Sequence, residues 1–298
     1  MYLNHSRENK KIIRIASPIQ DVINTLNKAR ELYYDKGIDL KVIKTNWTEE
    51  NIDLLKNGTI DGLIYTNIHV FKAFNEYLKK NNQETFVYIQ PFYHSKYGLY
   101  INKENQKNLY NLDKVKKYKK LKVLLAVSFS FIQPCDMSRS LLLLNNLELI
   151  HIPESVIKTK KLNISLEDIQ NPYELQFIKT SQIPCQFEEN PDEFDLMANW
   201  PAFMNHNPNF VRIGSNITDD KEPENELVES YAIALISRKD NETSEQIDII
   251  KQILNDPQVK QFHVDQKSFY GETNYVMINN PELIRNKIIK NWLDINQT

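Results

Sequence analysis

The stretch IIRIASPIQDVINTLNKARELYYDKG, residues 12–37, decides the fold. Ile12–Ala16 is a short apolar run that stops at Ser17-Pro18, the pattern of a strand giving way to a helix start. From Pro18 to Lys36, Val22, Ile23, Leu26, Ala29 and Tyr33 recur at helical spacing until Gly37 ends the pattern. The same alternation continues outward: strand Leu40–Lys44, helix Thr48–Lys56, strand Ile60–Tyr65, helix Ile68–Leu78, then strands Thr85–Gln90 and Tyr97–Asn102. This rhythm predicts an α/β unit with a parallel sheet and helices on both faces.

The rhythm then restarts. Leu121–Ser128 reads as a strand and Cys135–Leu147 as a helix carrying four consecutive leucines, Leu141 to Leu144. Leu175–Lys179, Phe194–Ala198 and Phe210–Ile213 read as strands of a second sheet. The acidic stretch Asp219–Glu226 reads as a linker, and Tyr231–Ser237 as one more strand. Helices are expected at Ser244–Leu254, Pro257–Lys267 and Pro281–Leu293. The pattern predicts two α/β lobes with a ligand cleft between them: residues 11–102 with 226–298 in lobe 1, 103–225 in lobe 2, and 1–10 as a flexible spacer.

Composition removes several function classes. The 298 residues carry 37 Lys+Arg against 39 Asp+Glu, so no basic field for nucleic acid exists. Six glycines are too few and too scattered for GxGxxG or GxxxxGK[ST] loops. Cys135 and Cys185 form no disulfide framework or zinc motif, the six histidines never pair at i, i+4, and no cofactor or metal is expected. His69 and His94 read as structural or exposed. Glu188, Glu189, Asp192 and Glu193 surround Asn190-Pro191, and the stretch Phe187–Asp195 reads as a solvated turn rather than an acid/base pair. No apolar run is long enough to span a bilayer.

Several motifs in order resemble the methionine-binding lipoproteins, the substrate-binding subunits of methionine ABC importers. Ser138-Arg139-Ser140-Leu141-Leu142-Leu143-Leu144 resembles the family's Gly-Arg-Ala/Ser-Leu-Leu-Leu-Leu helix start. Ile60-Asp61-Gly62 with Phe71-Lys72-Ala73-Phe74-Asn75, Gly98-Leu99-Tyr100, Asp168-Ile169-Gln170-Asn171-Pro172 with Gln182-Ile183-Pro184, Ser230-Tyr231-Ala232, and Asn255-Asp256-Pro257-Gln258-Val259-Lys260 are similar to further family segments. The order and spacing hold from about residue 11 to 278.

The resemblance implies a periplasmic-binding-protein-like clamshell (type II). It implies no catalysis, and a small amino-acid-like ligand such as methionine. The expected partners are an ABC permease and ATPase. It also implies export, with the protein held at the outer face of the membrane only through a lipid. The export segment and lipid-bearing cysteine are then expected upstream of Met1.

Residue by residue, the family's arginine maps onto Arg139, at a helix start suited to a carboxylate. Asp136 stands where the family has Asn, and reads either as a helix cap or as a partner for a ligand ammonium. Asn67, in Tyr65-Thr66-Asn67, stands at the family's His, and Ile233 at an Asn that holds the ligand's polar end. Asn199 matches a second-lobe Asn across a one-residue gap. Tyr65, Tyr97 and Trp200 read as aromatic walls, with Phe203 beside them. Because Asn67, Asp136 and Ile233 depart from the family, two alternatives stay open: a thiamine-like or sulfonate ligand, or an enzyme on the same scaffold.

Overall fold

Strands β1 (Lys11–Ser17), β2 (Ile38–Lys44) and β3 (Gly62–Thr66) pair in parallel, with β1 central, as expected of strands joined by helical crossovers. Helix α1 (Gln20–Tyr34) links the first two and buries Val22, Ile23, Leu26, Ala29 and Tyr33, the face that the spacing marks. Gly37 takes a φ of +81°, which turns the chain out of α1 and into β2. Ser17 closes the other end of β1: its hydroxyl donates to the Ile64 carbonyl at 2.6 Å and accepts from the Ile19 N–H at 3.1 Å.

The computed structural model describes residues 10–46, 50–126, 136–180 and 183–293. Of the spacer expected at 1–10, only Lys10 falls within them. The end of the strand expected through Ser128, Cys135 and Gln182 lie outside the described residues.

The remaining helices of the first half are α2 (Glu50–Lys56) and α3 (Ile68–Lys80). Strands β4 (Phe86–Ser95) and β5 (Gly98–Asn102) follow, then α4 (Leu112–Val115), β6 (Lys122–Ala126), α5 (Asp136–Asn146) and α6 (Glu154–Lys160). Beyond them come β7 (Gln176–Thr180), α7 (Ile183–Glu189), β8 (Leu196–Asn199), α8 (Pro201–Met204), β9 (Phe210–Ser215) and α9 (Glu226–Glu229). The chain ends with β10 (Ile233–Arg238), α10 (Glu245–Asn255), α11 (Pro257–Asp265), β11 (Tyr275–Met277) and α12 (Pro281–Trp292). One sheet has the order β11-β4-β10-β3-β1-β2 and the other β7-β6-β8-β5-β9.

Both sheets are mixed, which corrects the parallel expectation. In the first, β10 runs antiparallel to β3. It is a return strand reached from elsewhere in the chain, so no crossover helix fixes its direction. In the second, β6 is parallel to β7 and β8, whereas β5 is antiparallel to β8 and β9.

The chain divides into two compact units. The first runs up to Phe92 and takes in Ile233–Gln266 and the residues from Met277 onward; the second is Tyr93–Ala232 with Lys267–Val276. These bounds differ from the lobes expected from sequence. Residues 98–102 join the second unit because β5 hydrogen-bonds to β8 and β9. Residues 226–232, including α9, are grouped there as well, and so is the segment 267–276.

The second unit's core is built from Leu121, Val123 and Leu125 around β6, Leu196 and Ala198 of β8, and Leu141, Leu143 and Leu144 of α5. Val123, Leu124 and Leu125 are all fully buried, the signature of a strand covered on both faces. Each such leucine contributes about 1.5–3 kcal/mol on burial, so α5 is held firmly against the sheet. The stretch expected to be a solvated turn is a turn at residues 191–193, with Glu188, Glu189, Asp192 and Glu193 exposed, but its first residues through Glu189 are helical and Asp195 at its end is buried. The Asp195 carboxylate accepts from Lys107 Nζ at 2.6 Å, the Lys122 N–H at 2.8 Å and Asn105 Nδ2 at 3.2 Å. Three donors make that burial tolerable.

Candidate ligand-binding site

In the second unit, parallel strands β6 and β8 end side by side, and the carboxyl ends of such strands are where α/β sheets place ligand groups. Asn199 closes β8 and Trp200 follows it, with Pro201 in the first turn of α8. Tyr97 stands just ahead of β5, whose Gly98 pairs with Asn199, so it arrives at the same end. A Cβ on Gly98 would lie 2.6 Å from Arg212 Cδ and 2.9 Å from Tyr100 Cε2, so only glycine lets the chain pass here.

Arg139 lies in the first turn of α5 and is 5% exposed. Its guanidinium carbon is 3.5 Å from the centre of the Tyr231 ring, 4.0 Å from that of Trp200 and 5.4 Å from that of Tyr97. The rings also meet one another edge-on: Tyr97 to Trp200 at 4.7 Å and Trp200 to Tyr231 at 6.2 Å. A guanidinium boxed by three rings is held by cation–π attraction, worth about 2 kcal/mol or more per good face once water is excluded.

Polar contacts fix the orientation. Arg139 Nη1 donates to Asp136 Oδ1 at 3.0 Å. Arg139 Nε is buried and has no hydrogen-bond partner among the described residues. The edge formed by Nε and Nη2, opposite the atom bound to Asp136, is the fork that matches a carboxylate. The Tyr97 hydroxyl donates to Ser140 Oγ at 2.7 Å and lies 3.2 Å from the Ala198 carbonyl. Ser140 Oγ in turn donates to the Asp136 carbonyl at 3.0 Å. Ser138 Oγ ties the start of α5 to the Leu162 and Ile164 carbonyls, at 2.5 and 3.0 Å.

Burial pushes the Asp136 carboxyl above the usual carboxylate range, and the Arg139 charge opposes that shift. Burial likewise raises the Tyr97 hydroxyl well above the ordinary tyrosine value, so it stays protonated and able to donate. An unpartnered donor, a carboxylate paired with the same guanidinium and three aromatic rings thus lie together, the groups that an anion-bearing molecule with an apolar part would need.

Five of the seven residues predicted from sequence share this unit: Arg139, Asp136, Asn199, Tyr97 and Trp200. Asn199 acts beneath the box. Its Oδ1 accepts the Trp200 N–H at 2.8 Å and its Nδ2 lies 3.8 Å from Met204 Sδ, which fixes the start of α8. Phe203 is 40% exposed and none of the ring contacts to the Arg139 guanidinium is its own.

Tyr65 and Asn67 belong to the first unit. Asn67 caps α3, its Oδ1 accepting the His69 and Val70 N–H groups at 3.0 and 3.1 Å. Tyr65 is buried edge-on against Phe74 at 6.0 Å and hydrogen-bonds to Asn51. His69 packs edge-on against Trp292 at 4.8 Å, and His94 is buried.

Tyr231 is the residue that sequence reasoning missed. The run Tyr231–Ser237 reads as one strand, but β10 begins only at Ile233, leaving Tyr231 after α9 to stack on Arg139. The signal was the Ser230-Tyr231-Ala232 motif itself.

The family model of the NlpA lipoproteins matches residues 13–275. The chain belongs to the NlpA lipoprotein family. Solved structures similar to this family member show the same fold. A Bacillus subtilis protein assigned as a methionine-binding lipoprotein has a TM-score of 0.68 at 20% identity, covering 91% of this chain and 99% of that one. An ABC transporter periplasmic substrate-binding protein of Coxiella burnetii has a TM-score of 0.64 at 17% identity, covering 89% and 100%. The methionine-binding protein MetQ has a TM-score of 0.62 at 18% identity, covering 90% and 98%. No curated protein sequence matches the chain.

Proposed function

We propose that this NlpA-family chain is the substrate-binding component of an ABC importer and binds methionine or a related amino-acid-like ligand at Arg139. The observation that carries the reading is the Arg139 guanidinium, buried among Tyr97, Trp200 and Tyr231 with its Nε unpartnered among the described residues. A ligand carboxylate supplies what that donor lacks, and the rings give an apolar side chain a surface to cover. The similarity to MetQ and to the Coxiella binding protein supports the same role.

Binding here is passive: no bond forms or breaks, and the ligand is handed to a permease driven by an ATPase. The family supports an extracytoplasmic location with a lipid anchor. Asn199, in the same unit as Arg139, is proposed as a further ligand-positioning residue. A sulfonate is the second reading, because the same guanidinium edge accepts its oxygens.

Mass spectrometry of gently purified, denatured protein identifies any ligand carried through purification, and calorimetry with the common amino acids and taurine ranks them. Recovery of an amino acid, or its saturable binding, is the expected result. Repeated recovery of a nucleotide or redox cofactor contradicts the reading.

A further inference from the structure

Arg139 alone would make a cationic pocket open to any small anion. Asp136 changes that. Its Oδ1 sits 3.0 Å from Arg139 Nη1, and the two side chains are 14% and 6% exposed. The pair is neutral as a whole. An anion placed on the Nε–Nη2 edge therefore leaves one uncompensated negative charge in a largely dry site, and that is costly. A ligand that brings its own cation restores the balance, because one carboxylate oxygen of Asp136 is not the atom bonded to Arg139. Burial already works against the charged form of Asp136, so a second cation near it is favoured.

We propose that Asp136 is the specificity residue of this site and selects zwitterions. The ligand's carboxylate lies on the Nε–Nη2 edge of Arg139, and its ammonium is taken by Asp136. Lone carboxylates and dianions are excluded by the same charge. This rests on the amino-acid reading above.

The test uses paired probes on the whole protein. Calorimetry against the twenty common L-amino acids picks the tightest binder. Its N-acetyl derivative, which keeps the carboxylate and loses the ammonium, is the second probe. The wild-type protein is expected to prefer the free amino acid by at least tenfold, and Asp136→Asn to reduce that ratio by at least tenfold. Asp136→Glu should keep the preference. A role confined to capping α5 or orienting Arg139 weakens both probes together and leaves the ratio unchanged, so a ratio within threefold of wild type overturns the inference. If Asp136→Asn does not fold, Asp136→Ser is read in the same way. Loss of binding in Arg139→Ala with an unmoved ratio in the Asp136 variants ends this inference alone. A wild-type protein that binds neither amino acids nor their derivatives ends the amino-acid reading and this inference with it.

Discussion

The Arg139 guanidinium carbon lies over the Tyr231 ring, 3.5 Å from its centre, although one residue belongs to α5 and the other follows α9, far along the sequence of the same unit. Stacking of this kind fixes the plane of the guanidinium and hence the direction in which its free edge points. Tyr231→Phe keeps the π face and is expected to bind ligand nearly as wild type does. Tyr231→Leu loses the face and should weaken binding by roughly tenfold, the equivalent of about 1.4 kcal/mol. Titration calorimetry on the two variants checks this, and equal affinities would remove the ring from the site.

Asp195 supplies a stability test away from the ligand. Its carboxylate is buried and accepts from Lys107, Asn105 and the Lys122 backbone. Asp195→Ala leaves the Lys122 N–H and Asn105 amide short of a partner in the interior and should cost about 2–4 kcal/mol, at about 1–3 kcal/mol per orphaned group. Lys107 stays half-exposed and adds little. Urea denaturation measures the change; a loss under 1 kcal/mol would contradict the assigned role.

Acid lability follows from two histidines. Burial pulls His94 down to about 4 and His263 down to about 3 from an ordinary value of 6.5. The unfolded chain binds protons at these residues below 6.5, and the native chain does not until the lower values are reached. Their stabilising contribution is therefore whole above 6.5 and is lost as the pH falls, by roughly 1.4 kcal/mol per pH unit for each histidine. Melting temperatures measured from pH 7.5 to 5 should fall, and His94→Leu should flatten the slope by about half. A slope unchanged in that variant would exclude His94 as its source.

The elements set by local pattern were legible in the sequence. The face of α1 shows in Val22, Ile23, Leu26 and Ala29 because one helix period specifies it, and the Leu141–Leu144 run marks α5 because it must face a sheet. Arg139 was singled out by resemblance and not by period: Ser138 to Leu144 is similar to the helix start of the methionine-binding lipoproteins, and the structure places Arg139 in the first turn of α5. Long-range partners were not. β10 has an apolar pattern that suits either direction beside β3, so its antiparallel pairing is decided by tertiary routing. Asp195 looks like its acidic neighbours until Lys107 and Asn105 are folded onto it. Tyr231 merges with an apolar run, and only the turn after α9 sets it apart as a ring for Arg139.

The most direct measurement is titration calorimetry of Arg139→Ala and Arg139→Lys with whichever amino acid the wild-type protein binds. Removing one partner of a buried charged contact costs on the order of 2–5 kcal/mol, so Arg139→Ala should bind at least about thirtyfold more weakly. Arg139→Lys should recover little, because a point charge does not reproduce the planar fork or its stacking on Trp200 and Tyr231. Both variants should keep the wild-type circular dichroism spectrum, since the leucines of α5 carry the packing. Unchanged affinity in the folded Arg139→Ala protein would contradict the account.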